Sequence, residues 1–419
     1  MSHRLRPQRN PVRRSSGRRR RRRPSSTASA PQAPWWPPRA RLQDLATASV
    51  NASGLSCRSD AARKAAATEG EVDVNEASAE RSYRGRLAAI TGAGCGMGRE
   101  LARLLAAEGC HLALCDIQRE PLEHSREAAL AAARAAGHEI GVSTARCDVT
   151  REDDLVAFRD AALSELGRDS VDLLFNNAGI GGGGSLVADD RDEWERTFDV
   201  CWRGVYLGTR VFLPALMRSE NGHLVNVSSV NGFWASLGPH TPHTAYSAAK
   251  FAVRGFSEAL LTDLRLHAPH VRVSVVMPGH IGTEIAFNTG RVLGHSEPLE
   301  MDAAQVARAR HRLELQDGAA AALSDDEVRQ ATHQRATEFR DQAPLDAEKA
   351  ARIILDGVRA GRWRILVGDD AVALDRLVRA QPEAVYDPAF VEALQQQGHF
   401  EVAAGGDGVH GDEPQGDEG

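Results

Sequence analysis

Tyr246 and Lys250 stand four residues apart, so on a helix the phenol and the ammonium project from one face. A fixed cation favours the phenolate over the phenol, which lets a side chain with an unperturbed pKa of about 10 do acid/base work near neutral pH. The same spacing also describes an ordinary solvated helix face, so the rest of the chain has to decide between the two. A second feature with chemical use is the run Thr91-Gly92-Ala93-Gly94-Cys95-Gly96-Met97-Gly98, which follows the apolar stretch Leu87-Ala88-Ala89-Ile90 and precedes a helical pattern ending at Gly109. Strand, glycine turn and helix in that order allow the backbone to turn tightly and approach a pyrophosphate, whose charge the helix N-terminus favours. A plain strand-to-helix turn is the alternative. Asp116 comes eighteen residues after Gly98, at the end of the next apolar run. A carboxylate there suits the two ribose hydroxyls of adenosine and repels a 2′-phosphate. NAD is therefore the preferred cofactor, with NADP left open by Arg119 close by.

Positioning these residues requires strand ends that converge. Apolar runs at 87–90, 112–115, 142–147, 171–175, 223–227, 271–277 and 364–367 predict seven strands. Helical patterns occupy 99–108, 118–136, 150–166, 192–219, 246–266, 346–359 and 370–379. Thr150, with Asp153 three residues on, reads as a helix start, and the long 192–219 helix is expected to be disturbed near Pro214. Strand alternating with helix predicts an α/β fold with a doubly wound parallel sheet, the Rossmann fold, with helices on both faces and ligands at the carboxyl ends of the strands. Asp116, Asp148 and Asn177 all fall at such ends.

The 419 residues carry a formal net charge of −6, which conceals an asymmetry. The first 43 residues hold thirteen Arg and no acidic residue, leaving 38 basic against 57 acidic side chains in the remainder. An acidic body argues against nucleic-acid binding by the folded part. Residues 1–80, rich in Arg, Pro and Ser, space too few apolar side chains for a core and are expected to be disordered. The unbroken Arg run at 18–23 leaves three readings: a nuclear-localisation or nucleic-acid patch, an organellar transit peptide, or an extension ahead of a start near Val72 or Val74. The six Cys form no CxxC and no Cys/His cluster, so reduced thiols and no metal site are expected. His240 and His243 have no carboxylate or Cys beside them and are not expected to bind a metal. No apolar run approaches the ~18 residues of a membrane span, and a soluble, cytoplasmic protein is expected.

Taken in order, TGAGCGMG at 91–98, Asp148-Val149, Asn176-Asn177-Ala178-Gly179, Ser228-Ser229, Tyr246-Ser247-Ala248-Ala249-Lys250 and Pro278-Gly279-His280-Ile281-Gly282-Thr283 resemble the short-chain dehydrogenase/reductase family. The likeness runs over 83–285 and on toward 380, and the spacing of Gly92 and Gly96 is that of the family's compact single-domain branch. It implies a hydride transfer between a nicotinamide and a carbon bearing a hydroxyl or carbonyl. By the same resemblance Tyr246 is the general base in oxidation and the general acid in reduction. Lys250 holds the nicotinamide ribose and lowers the Tyr246 pKa, and Ser229 hydrogen-bonds the substrate oxygen. Gly92, Gly94, Cys95, Gly96, Met97 and Gly98 would carry the pyrophosphate, and Asp116 the adenosine ribose. Asp148 and Val149 would meet the adenine edge, and Asn177, Ala178 and Gly179 the adenosine side. After Pro278 and Gly279, Ile281 and Thr283 would flank the nicotinamide carboxamide.

The chain departs from the family's pattern in two places. Cys201, three residues before Gly204, stands where the family usually has an Asn that supports a water leading to the catalytic Lys. A thiol is a weak hydrogen-bond partner, so the proton relay is expected to be rerouted through backbone and water, or slowed. Ser229 and Tyr246 are 17 positions apart, longer than usual, and Phe233, Trp234, His240 and His243 in that loop are expected to shape the substrate pocket. Few polar groups there point to an apolar alcohol or ketone.

The segment 284–344 shows helical patterns at 302–315 and 324–341, with Ser324 and Glu327 completing a capping box, and reads as a lid over the nicotinamide or a surface insertion. Residues 381–419 end in an acidic tail expected to be disordered. Members of the family associate through the helices corresponding to 192–219 and 246–266, so a homodimer or homotetramer is expected. The rival reading is a dinucleotide-binding sensor or scaffold without turnover, its Arg-rich arm contacting nucleic acid. Cys201 favours that reading, and the intact Ser229, Tyr246 and Lys250 oppose it.

Overall fold

The computed structural model describes residues 82–238, 240–316 and 318–395, all of which lie in one compact unit. The expectations for the Arg-rich start and the acidic tail fall outside these residues. The main sheet has seven parallel strands: β1 (Leu87–Thr91), β2 (His111–Asp116), β3 (Val142–Arg146), β4 (Leu173–Asn176), β5 (His223–Val227), β6 (Arg272–Pro278) and β9 (Arg364–Val367). Their order is β3-β2-β1-β4-β5-β6-β9. The order reverses between β1 and β4, so a crevice opens at the carboxyl ends of those two strands.

Side chains alternate across the sheet. Ala88 and Ile90 of β1 join one apolar core and Leu87 and Ala89 the other. The first core is covered by α1 (Gly96–Ala107), α2 (Arg119–Ala135) and α10 (Ala347–Arg359), the second by α3 (Glu152–Glu165), α5 (Gly204–Leu216) and α6 (Thr244–His267). This is the doubly wound α/β arrangement read from the sequence.

The long helix predicted over 192–219 is broken, but not at its proline. It comprises α4 (Arg191–Phe198), a π turn (Asp199–Arg203) and α5, and Pro214 sits inside α5. Proline deprives the carbonyl four residues back of its helical donor. Here that residue is Arg210, on the exposed face. Thr150 is not the start of α3 either. The helix begins at Glu152 with Glu152, Asp153 and Asp154 in its first turn, a charge arrangement that its dipole favours.

After β6 the chain forms a two-residue strand, β7 (Ile281–Gly282), then α7 (Ile285–Leu293), α8 (Ala303–Gln316) and α9 (Asp325–Asp341), and returns through β8 (Leu345–Asp346). The capping box at α9 is present: the Ser324 hydroxyl accepts from Glu327 N and the Glu327 carboxylate accepts from Ser324 N. Met301, Val306, Ala309, Leu313, Ala320 and Val328 form a small core separate from the sheet. β7 pairs with β8 in parallel, so both ends of the helical segment are fastened to the loop after β6. The last helices, α11 (Asp369–Ala380) and α12 (Pro388–Gln395), close a third core with Phe233 and Trp234. Those two side chains, expected in the substrate pocket, are instead buried, and the Trp234 indole donates to the Val385 carbonyl at 2.8 Å. Ala371, Leu374, Phe390, Val391 and Leu394 of the C-terminal helices share that core and give a large aromatic more contact than a pocket wall would.

Candidate active site

Gly92 and Gly96 have φ of +64° and +51°, a left-handed conformation that favours glycine. A Cβ on Gly92 would also stand 2.7 Å from the Ala178 Cα, so the end of β4 can come this close only to a glycine. Asn177 locks the approach: its side-chain amide donates to the Thr91 and Gly92 carbonyls, each at 3.0 Å. The Thr91 hydroxyl accepts the N–H groups of Asn177 and Ala178 at 3.1 Å. Cys95 precedes α1 without a side-chain cap, so the N–H groups of its first turn keep their capacity to bind an anion.

A cleft enclosing about 850 Å³, open to solvent, begins here. Of the residues singled out for cofactor contact, Gly92, Cys95, Gly96, Met97, Asp116, Asp148, Val149, Asn177, Ala178, Gly179 and Thr283 line it. Asp116 accepts the N–H groups of Gly94 and Gln118, each at 2.9 Å, and burial raises its pKa against the pull of those bonds. Gly94 and Gly98 stand behind the surface of this cleft. A Cβ on Gly98 would be 2.1 Å from the Gly92 carbonyl oxygen, so Gly98 serves the packing of α1 against β1. An uncapped helix start, glycines without room for a Cβ and a carboxylate at the end of β2 together fit a dinucleotide.

Several residues of the cleft carried no clear sequence signal. Arg196 of α4 reaches Asp148 at 2.9 Å, and the Thr150 hydroxyl donates to the same carboxylate at 2.8 Å. Partial burial would raise the Asp148 pKa, but the Arg196 and Thr150 bonds outweigh it and hold it below the ordinary value. Arg196 and Val200, both in the lining, are four residues apart, a spacing that could have revealed a shared face. Asn288 of α7 donates to the Cys95 sulfur at 2.9 Å, and burial, with Asp116 adding to it, pushes the Cys95 thiol up to about 11.

Gly179 of the lining adjoins Lys250, although Ser229, Tyr246 and Lys250 do not themselves line the cleft. A Cβ on Gly179 would lie 3.5 Å from Lys250 Nζ and 3.8 Å from Cys201 Sγ, so the strand end, the lysine and the cysteine meet at one point. Lys250 is 2% exposed. Its ammonium donates to the Val227 carbonyl at 3.0 Å and lies 5.2 Å from the centre of the Tyr246 ring. The two serines at the end of β5 divide their work. Ser228 donates to the Lys250 carbonyl at 2.8 Å and holds α6 in place. Ser229 accepts the Asn231 N–H at 3.1 Å, and its hydroxyl acts on the Tyr246 phenol in the direction that lowers the phenol pKa.

Burial raises the Tyr246 pKa, Lys250 lowers it, the Cys201 thiol raises it and Ser229 lowers it, with a net rise. Lys250 thus acts in the direction the resemblance implied, and burial outweighs it. His243 packs its ring 4.7 Å from the Tyr246 ring, and burial pushes its pKa down to about 4. His240 is exposed. Among the described residues no three His, Cys, Asp or Glu side chains are grouped to hold a metal, and no helix is long and apolar enough to cross a membrane.

Cys201 lies inside the π turn with its side chain fully buried. Its thiol donates to the Ile180 carbonyl and accepts the Ile180 N–H. Pro278, Gly279 and Ile281 sit outside the cleft lining, and Pro278 ends the ladder between β6 and β9.

Comparison with known proteins agrees with this geometry. A family profile described as short chain dehydrogenase matches residues 86–291. A protein described as an oxidoreductase, SadH from Mycobacterium tuberculosis, is 35% identical over 300 residues, covering 71% of this chain and 91% of its own. The cyclopentanol dehydrogenase of a Comamonas species is 36% identical over 195 residues, covering 46% of this chain and 72% of its own. The crystal structure of a short-chain dehydrogenase/reductase from Burkholderia phymatum in complex with NAD superposes with a TM-score of 0.56 at 32% identity, covering 73% of this chain and 97% of that one. On the sheet order, the glycine turn and relatives of this similarity and coverage, the chain belongs to the short-chain dehydrogenase/reductase family of oxidoreductases.

Proposed function

We propose that the protein interconverts a secondary alcohol and a ketone with a nicotinamide dinucleotide. The observation that carries this reading is the Lys250 ammonium, 5.2 Å from the Tyr246 ring and next to Gly179, a residue that lines the dinucleotide-fitting cleft. When bound, the nicotinamide supplies or accepts the hydride. The Tyr246 hydroxyl gives its proton to the substrate oxygen in reduction and takes it back in oxidation. Lys250 favours the phenolate that this exchange leaves, and Ser229 hydrogen-bonds the substrate oxygen as its charge develops.

Asp116, ready at the end of β2 for two ribose hydroxyls, supports NAD over NADP. The NAD in the Burkholderia phymatum complex and the cyclic alcohol named for the Comamonas enzyme are in keeping with this assignment. Val292 and Leu293 of α7 pack on the same apolar cluster as Tyr246, which supports a mainly apolar substrate. The helical segment 284–344 acts as a lid, since Thr289 of α7 takes the Gly181 N–H at 2.8 Å and so fastens α7 over the glycine-rich strand-end loop. Half-exposed aromatic side chains on α5 and α6, Tyr206 and Phe251, suit association with a second copy. The test is NADH formation from a panel of secondary alcohols by the purified protein. Saturable cofactor binding without turnover on a broad panel would favour the sensor instead.

A further inference from the structure

Asp370 carries a carboxylate that is 4% exposed, in the first turn of α11, where the helix dipole favours a negative charge. One oxygen accepts the His280 N–H at 2.7 Å and the other the Ala371 N–H at 2.8 Å. Two glycines make room for it. A Cβ on Gly279 would stand 2.1 to 2.3 Å from the carboxylate atoms. One on Gly368, whose φ is +107°, would stand 2.3 Å from Oδ1.

The backbone that Asp370 grips is the exit from β6. Gly279 N donates to the Val367 carbonyl at 3.0 Å, which adds one rung to the pairing of β6 with β9. On the other side of the same loop, the His280 ring Nε2 donates to the Phe339 carbonyl at 2.6 Å, near the end of α9. The loop is thus held from α11 and from α9, and the next residues are Ile281 and Thr283. Burying an ionised carboxylate is costly unless its oxygens are satisfied. At this position two glycines are given up to admit one whose bond to His280 spans ninety residues of chain.

We propose that Asp370 is a positioning residue for the nicotinamide half of the cofactor. It fixes the Gly279-His280 backbone, so that Thr283, which lines the cleft, is presented to the carboxamide. This rests on the proposed function, and the test separates the two. The full chain is titrated calorimetrically with NADH and with ADP-ribose, which keeps the adenosine, pyrophosphate and second ribose but lacks the nicotinamide.

Asp370→Ala is expected to weaken NADH by at least about tenfold and ADP-ribose by less than about twofold. Asp370→Asn, whose amide oxygen can still accept the His280 N–H, is expected to recover most of the loss. If Asp370→Ala does not fold, Gly279→Ala, which keeps the carboxylate and displaces the loop, must show the same selective loss. Equal weakening of both ligands, or undiminished NADH binding, would overturn the proposal. Failure of the unaltered chain to bind either ligand would remove the cofactor reading itself.

Discussion

The Cys201 thiol donates to the Ile180 carbonyl at 3.1 Å and accepts the Ile180 N–H at 3.5 Å. One side chain in a π turn thereby ties the helix side of the site to the strand end that carries Gly179. An Asn at this place could make the same two contacts, since its amide also both donates and accepts. Cys201 thus holds backbone, and we propose that a proton leaving Lys250 passes through backbone and water instead.

Cys201→Asn is therefore expected to turn over at an equal or higher rate. A loss of more than about tenfold in kcat, a barrier rise of ~1.4 kcal/mol, would give the thiol a role of its own. Cys201→Ala removes the partner of two buried backbone groups and is expected to cost about 1–3 kcal/mol of stability in urea unfolding.

Lys250→Met removes the cation that lowers the Tyr246 pKa while burial continues to raise it. The expected result is a drop in kcat on the order of 10²–10⁴, with the limb of the pH profile that reports Tyr246 displaced to higher pH. An unchanged limb would mean that the ammonium does not act on the phenol.

Asp116→Asn keeps an acceptor for the Gly94 N–H and removes the charge that repels a 2′-phosphate. The ratio of kcat/KM for NAD over NADP is expected to fall by more than about tenfold, equivalent to ~1.4 kcal/mol. Steady-state kinetics with both cofactors check it, and a constant ratio would move cofactor choice elsewhere.

His223, the first residue of β5, is 2% exposed and hydrogen-bonded to Ser274 at 2.8 Å. Burial, aided by Arg272 and Arg86, pushes its pKa from 6.5 down to about 3. Below pH 6.5 the unfolded chain therefore binds a proton that the folded chain refuses. Stability is complete above that pH and falls as pH drops toward about 3, with a limiting slope of ~1.4 kcal/mol per unit. Chemical unfolding between pH 7 and pH 5 should show the loss, and His223→Gln should flatten it.

The seven strands, the glycine turn and the tyrosine helix were legible because each rests on local pattern: apolar runs, glycines before a helix, a four-residue spacing. The break in the long helix was misplaced because proline is a visible helix breaker, whereas the π turn at Asp199–Arg203 arises from tertiary packing around Cys201. The pairing of Ile281 with Leu345 joins positions too distant in sequence for any local signal. Phe233 and Trp234 were expected in the pocket from their place in the loop before Tyr246, and no local pattern shows that the C-terminal helices pack on them. Arg196 and Asn288 enter the cleft from helices whose register against the sheet only the folded chain defines.

The central claim is that Tyr246 exchanges the proton. The most direct measurement is single-turnover formation of NADH from a secondary alcohol that the unaltered protein oxidises, compared with Tyr246→Phe, with NADH affinity determined on the same preparations. The account predicts that Tyr246→Phe binds NADH with little change and forms it at least about 10²-fold more slowly. A variant that binds NADH equally well and oxidises the alcohol at the unaltered rate would contradict it.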